Sequence, residues 1–394
     1  MGGVLESIRV LDFGRYIAGP YCACLLGDLG ADVIRVEKRS GSEDRWTSPI
    51  AERGEGSLFM QVNRNKRGIT LDVGNEAGRE VVGRLTERAD VVVANLPPQT
   101  LEMMGLDYPT LCATKPDIIL TTVSAYGHGG PWSHRVGFDG VAQAMSGGMH
   151  LTGYPDEPMR FYYPWVDFQT ATLSAFGTLA ALMERRVTGR GQQVEGSLLM
   201  SALTVANGTL IEQAVIGADR VATGNRGQIA APSDCFRTQD GWVVVMAIGQ
   251  PLFERWARLM GEEQWLDDPR FEDDISRGDH GEVISQRMAR WCGERTTGEC
   301  LAELDRARLP AGPVLSPQEA LDHEHVRAMR YLLPIDYPGL PRPAPVADTP
   351  VRLSATPGSI RGRAPVLGEH TDEVLAELGY DDDAIATLRA EGVV

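Results

Sequence analysis

The strongest constraint on the fold is an alternation that runs through the first third of the chain. Short β-type runs at Ile8–Phe13, Asp32–Glu37, Gly68–Asp72, Asp90–Asn95 and Asp117–Val123 are separated by helical stretches, Ala18–Leu29 and Glu76–Arg88 among them. Strands joined through helices pair in parallel, and a parallel sheet is covered by helices on both faces. The predicted class is therefore α/β. Two further helical patterns follow, Asp167–Arg186 and roughly Glu195–Ala214. A smaller α+β region begins near Gly224, with a strand over Gly241–Ile248 after the Gln239-Asp240-Gly241 turn. Pro334–Pro365 is Pro-rich and reads as extended, and His370–Leu378 closes with a helix. At 394 residues the chain exceeds a single core, which stops growing at about 250–300 residues. The expected organisation is a large domain over 1–215, a small α+β domain over 224–320, and a segment, 325–394, that returns to the large domain.

Charge and cysteine usage narrow the class of function. The formal net charge is −16, a field that repels nucleic acid and anionic membranes but leaves room for a local basic pocket. No nucleic-acid or membrane partner is expected, since no stretch reads as the ~20 apolar residues of a membrane span. The six cysteines, Cys22, Cys24, Cys112, Cys235, Cys292 and Cys300, form no CxxC pair. They read as reduced, buried thiols of a cytoplasmic protein. The start, Met1 to Val10, lacks the basic and apolar regions of a signal peptide.

Several common chemistries lack their motifs. The turn after the first strand, Phe13-Gly14-Arg15-Tyr16-Ile17-Ala18-Gly19-Pro20, is not the G-x-G-x-x-G that brings backbone to a pyrophosphate. Glu37 stands where a ribose-binding acid belongs, but without those glycines the nicotinamide reading is weak. There is no Walker A loop and no Gly-x-Ser-x-Gly elbow, and His323 and His325 have no second pair to complete a metal site. Neither a metal nor a redox cofactor is expected. Lys38-Arg39 and Asn63-Arg64-Asn65-Lys66-Arg67 are basic, and cations at the carboxyl ends of parallel strands suit an anionic, nucleotide-like ligand. Glycines cluster at Tyr126–Pro131 and Ser146–Met149. They read either as turns or as exposed N–H groups able to steady an oxyanion. Asp167 follows Tyr162-Tyr163-Pro164-Trp165 and opens a helix. It reads either as an N-cap or as a carboxylate held in a dry aromatic pocket.

Taken in order, these segments resemble the class III CoA-transferases of the CaiB/BaiF type, a superfamily shared with α-methylacyl-CoA racemase. The resemblance runs from Val10-Leu11-Asp12-Phe13 and Ala18-Gly19-Pro20 through Leu29–Glu37, Asn65-Lys66-Arg67-Gly68, Ala89–Asn95 and Met104-Gly105. It continues through Asp167, Leu179-Ala180-Ala181-Leu182 and Thr188-Gly189-Arg190-Gly191-Gln192, then Gly224-Asn225 and Asp240-Gly241. It thus covers nearly the whole chain, and the order of motifs is more specific than any one of them.

The resemblance implies a Rossmann-like large domain and an interlocked homodimer. It implies coenzyme A thioesters as substrates, with an acyl-CoA and a small carboxylic acid as partners. Asp167 matches the family's catalytic aspartate. It would pass the acyl group through a mixed anhydride and CoA through an aspartyl thioester. Positions matching CoA contacts are Ile17, Ala18, Lys38, Leu71, Asp72, Asn95, Met104 and Phe138, with Arg135 as a further candidate for the phosphates. Ile17 stands where oxalate-type transferases carry Gln and Phe138 where Tyr occurs, which argues against oxalate and formate; Met103 stands where Arg is common, which leaves Lys38, Arg39 or Arg135 to hold the CoA phosphates. The racemase branch places a proton-transferring His in a Gly-His-Asp run. Here the run is Gly137-Phe138-Asp139, and a phenyl ring cannot act as acid or base. Racemisation and a non-catalytic CoA-binding role are the alternatives to transfer.

Overall fold

The computed structural model describes residues 3–51 and 55–394. In chain order it places β1 (Arg9–Asp12), α1 (Ala18–Asp28), β2 (Asp32–Glu37), β3 (Lys66–Thr70), α2 (Glu76–Glu87), β4 (Val91–Ala94) and β5 (Ile119–Ser124). The short helix α3 (Asp139–Met145), the long helix α4 (Trp165–Thr188), β6 (Gln193–Ser197) and α5 (Leu198–Ile216) follow. Strands β1 to β6 form one parallel sheet in the order β3-β2-β1-β4-β5-β6. This is the doubly wound order, and the direction in which successive strands are added reverses between β1 and β4.

Alternation along each strand explains why both faces are covered. Val10, Val33, Val91, Val93 and Ile119 point to one face, against Cys22, Ala23 and Leu26 of α1 and Ala171, Ala175 and Leu182 of α4. Leu11, Ile34, Val36, Ile69, Val92 and Leu120 point to the other, against Val81, Val82 and Leu85 of α2. The same face receives Val374, Leu375, Ile385 and Leu388 from the end of the chain. Thus the C-terminal helices are part of the sheet's own core.

Contacts divide the chain into two compact units. One comprises Met1–Ser146, Phe161–Ile211 and Met329–Val394; the other comprises Gly147–Arg160 and Glu212–Ala328. The stretch 147–160, within the large domain by sequence pattern, belongs to the smaller unit. That unit holds a three-stranded antiparallel sheet of β7 (Ser233–Arg237), β8 (Trp242–Met246) and β9 (Ala311–Pro313). Its core gathers Phe236, Val243, Val245, Phe253, Trp256, Ile284, Met288 and Trp291.

Three expectations need correction. The helix read from about Glu195 begins only at Leu198, because Gln193–Ser197 pairs with β5 as the sheet's last strand. A Cβ at Gly196 would lie 2.4 Å from the Ser174 hydroxyl oxygen of α4, so any larger residue there would displace that side chain. The Pro-rich stretch is not wholly extended loop: Leu332–Ile335 and Ala344–Ala347 pair as an antiparallel hairpin. Finally, α5 is long and apolar enough to cross a membrane by length and composition, with a mean hydropathy of 1.3, and only 11% of that stretch is buried.

Candidate active site

The site grows from the turn that joins β1 to α1. The chain must bend sharply there, and a Cβ on Gly14 would meet Pro20 Cδ at 2.6 Å and Asp12 Oδ1 at 2.7 Å. The Gly14 N–H donates to Asp12 Oδ1 at 2.8 Å, which fixes the bend. Across the sheet's switch point, Asn95 follows β4 and clamps the turn reciprocally. Its Oδ1 accepts from the Arg15 N–H at 2.6 Å, and its Nδ2 donates to the Arg15 carbonyl at 2.8 Å. Tyr16 is left in the left-handed region at φ 60°, a strained state for a non-glycine residue costing about 1–3 kcal/mol. Its ring packs edge-on against Phe138 at 5.5 Å.

Beneath this turn lies a buried lattice of charges. Lys66 Nζ donates to Asp12 Oδ2 at 2.7 Å, to the Pro20 carbonyl at 2.7 Å and to Asn63 Oδ1 at 2.8 Å. Arg35 reaches Asp44 Oδ2 at 2.8 Å, and Arg45 Nη2 reaches Glu37 Oε2 at 2.5 Å. Burial alone would raise Glu37, but Arg35 and Arg45 outweigh it and hold its carboxyl at about 2. The lattice is neutral by count, with Asp12, Glu37 and Asp44 against Arg35, Arg45 and Lys66. Glu37 is therefore a structural acid rather than a ribose ligand.

A cavity of about 270 Å³ opens at the carboxyl ends of β1, β4 and β5. Its walls include Arg15, Tyr16, Ala18, Asn95, Val123, His134, Arg135, Phe138, Leu198 and Asp167. This is where an open α/β sheet binds its ligand. Asp167 sits in the first turn of α4, behind the N-cap Pro164. It is not itself the cap. That task falls to Asp139 of α3, whose Oδ2 accepts from the Val166 N–H at 2.7 Å and the Asp167 N–H at 3.2 Å. Among the described residues the Asp167 carboxylate accepts no hydrogen bond. Burial raises its pKa first and the Asp139 carboxylate adds to this, pushing it up to about 7.

The cavity gathers Ala18, Asn95, Arg135, Phe138 and Asp167 from among the expected site residues. The others lie elsewhere. The side chains of Ile17 and Leu71 are buried in the protein, and Met104 packs against the core. Lys38 is exposed and paired with Glu43, while Asp72 accepts from the Gly74 N–H at 2.9 Å. The basic run 63–67 precedes and enters β3, at the amino end of the sheet, so its cations serve the fold. Arg64 grips Asp28, and Arg67 grips Asp32, Glu373 and Glu377. Two of the glycine N–H groups read as oxyanion donors are already engaged, Gly127 with Ser124 Oγ at 3.0 Å and Gly130 with Ser133 Oγ at 2.9 Å. Sequence patterns did not single out Arg15, Tyr16 or Asp139. The signal for Arg15 was its place in the turn directly after the first parallel strand.

The fold is α/β of the doubly wound class, and its switch point opens into a cavity that brings Arg15, Arg135 and Asp167 together. The chain belongs to CoA-transferase family III, whose model matches residues 5–371. It is 34% identical to succinyl-CoA–D-citramalate CoA-transferase of Chloroflexus aurantiacus over 99% of this chain and 98% of that one. It is 35% identical to succinyl-CoA:mesaconate CoA-transferase of Haloarcula hispanica over 96% and 97%. Among solved structures it resembles a CaiB/BaiF family protein from Brucella suis, with a TM-score of 0.84, 31% identity and coverage of 96% of this chain and all of that one.

Proposed function

We propose that the protein moves CoA from succinyl-CoA to a second small dicarboxylic acid, with Asp167 as the carboxylate that carries the acyl group. The observation that carries this reading is the Asp167 carboxylate itself, without a hydrogen-bond partner on the wall of a ligand cavity. A raised pKa accompanies a more basic, more nucleophilic oxygen. The relatives' names, which pair succinyl-CoA with citramalate and mesaconate, support the donor and the acceptor class.

The ionised carboxylate attacks the thioester carbonyl and expels CoA thiolate, leaving a mixed anhydride on Asp167. The thiolate then attacks the aspartyl carbonyl, releasing succinate and leaving CoA on Asp167 as a thioester. The acceptor carboxylate attacks that carbonyl, expels the thiolate and forms a second anhydride. Thiolate attack on the acceptor's carbonyl completes the new thioester and restores the Asp167 carboxylate. No activation is lost provided water is kept out, and the apolar walls at Ala18, Val123, Phe138 and Leu198 favour that. We further propose that the working form is a dimer, with the exposed apolar side chains of α5 covered by a second copy.

The test is direct. With succinyl-CoA and each of citramalate, mesaconate, malate and glutarate, chromatography of the thioesters should show a new acyl-CoA formed one-for-one with free succinate. Asp167→Asn should lower the rate at least about a thousandfold. His134 on the same wall keeps a racemase reading in play. Exchange of an α-proton with solvent, without any acceptor, would move the case there.

A further inference from the structure

Arg15 is a surplus cation. The buried lattice beneath it is neutral without it, and among the described residues Arg15 makes no ion pair. Its Nη1 donates to the carbonyls of Phe13 at 3.2 Å and Gly14 at 3.0 Å. Those bonds leave the edge formed by Nε and Nη2 without an acceptor. That same edge is the one by which Arg64 holds Asp28, at 3.1 and 2.6 Å. An arginine in this state is prepared for one planar, bidentate anion. Burial, and after it the nearby Arg35, work against its charge; Asp44, Glu37 and Asp12 favour it, but the balance still lowers its pKa, so a ligand anion relieves a remaining cost.

Placement selects the anion. Arg15 is half-buried and lines the same cavity as Asp167, and the Asn95 clamp fixes its backbone. Arg135, the other arginine on that cavity, is exposed and stacks on Trp132 at 4.0 Å. A phosphate, which stays hydrated, suits the exposed Arg135. A terminal carboxylate carried into the cavity on a short acyl chain suits the half-buried fork of Arg15.

We propose that Arg15 is the specificity-determining residue of the site, binding the free distal carboxylate of a dicarboxylic acyl group while the thioester end lies at Asp167. This rests on the transferase reading above. It predicts that the enzyme prefers dicarboxylic over monocarboxylic acyl groups of equal length, and that the preference resides in one side chain.

Binding, measured without turnover, separates this from the chemistry. In an Asp167→Asn background, calorimetry with succinyl-CoA, butyryl-CoA and free CoA gives three dissociation constants. Succinyl-CoA should bind about 10–100-fold more tightly than butyryl-CoA. Adding Arg15→Gln should abolish that ratio while leaving butyryl-CoA and free CoA within about threefold, and Arg15→Lys should restore part of it. Unchanged melting temperatures would show that the variants fold. Equal binding of the two thioesters before Arg15 is changed overturns the proposal. So does a loss that Arg15→Gln inflicts equally on all three ligands, which would make the residue a phosphate anchor or a structural part. If succinyl-CoA is preferred but no transfer occurs with Asp167 intact, the transferase reading fails and the Arg15 assignment stands.

Discussion

Asp139 and Asp167 are two carboxylates with divided tasks. Asp139 is buried and spends its oxygens on the N–H groups that open α4, with Gln143 beside it. Asp167 spends none and faces the cavity. The ionised Asp139 therefore helps to keep a proton on Asp167 up to about pH 7. The nucleophile proposed here acts in its ionised form, so kcat/KM for the donor should fall as pH drops through about 7, rather than through the ordinary carboxylate range near 4. Asp139→Asn removes a negative charge yet keeps an acceptor oxygen. It should shift that inflection to lower pH, as a pH–rate profile of both proteins will show. An inflection that stays near 7 in the variant would assign the raised value to burial alone.

At the scale of elements, what was legible in the sequence followed from periodicity. The five strands β1 to β5 and helices α1 and α2 announced themselves because Val, Leu and Ile recur at positions that both faces of a parallel sheet require. Strand β6 did not, since Gln193-Val194-Glu195-Gly196-Ser197 has little apolar content and runs into Leu198 without a breaker. Only its place at the sheet edge, beside β5 and under α4, makes it a strand. The basic run 63–67 misled for a related reason, because sequence gives a cation's position but not the end of the sheet it occupies. Motif order singled out Asp167 as a candidate, whereas the case for Arg15 required knowing that Arg35, Arg45 and Lys66 are already neutralised. Helix α5 raises a separate question, with Met200, Val205, Ile211, Val215 and Ile216 all exposed. Monomeric soluble proteins rarely expose so many large apolar side chains along one helix. The expected outcome of light scattering on the purified protein is a particle of twice the chain's mass, and Ile211→Glu with Val215→Glu should shift it toward the monomer. A monomeric native protein would contradict the dimer.

For the whole molecule, a single sheet accounts for the placement of the site. Its switch point opens the cavity, the β1 turn and Asn95 shape one wall, and α4 delivers Asp167 to another. The C-terminal helices pack on the sheet from the face served by α2 and share its core. The lattice of Asp12, Arg35, Glu37, Asp44, Arg45 and Lys66 makes the floor rigid, because parting any pair leaves a buried charge at a cost of about 3–5 kcal/mol. On that rigid floor, the proposed event is covalent bonding of Asp167 during transfer. The measurement that meets it most directly is peptide mass spectrometry after mixing the protein with succinyl-CoA and quenching with hydroxylamine. The expected result is a hydroxamate on Asp167 that is absent without donor and absent from Asp167→Asn. Steady transfer of CoA with Asp167 unmodified would contradict it.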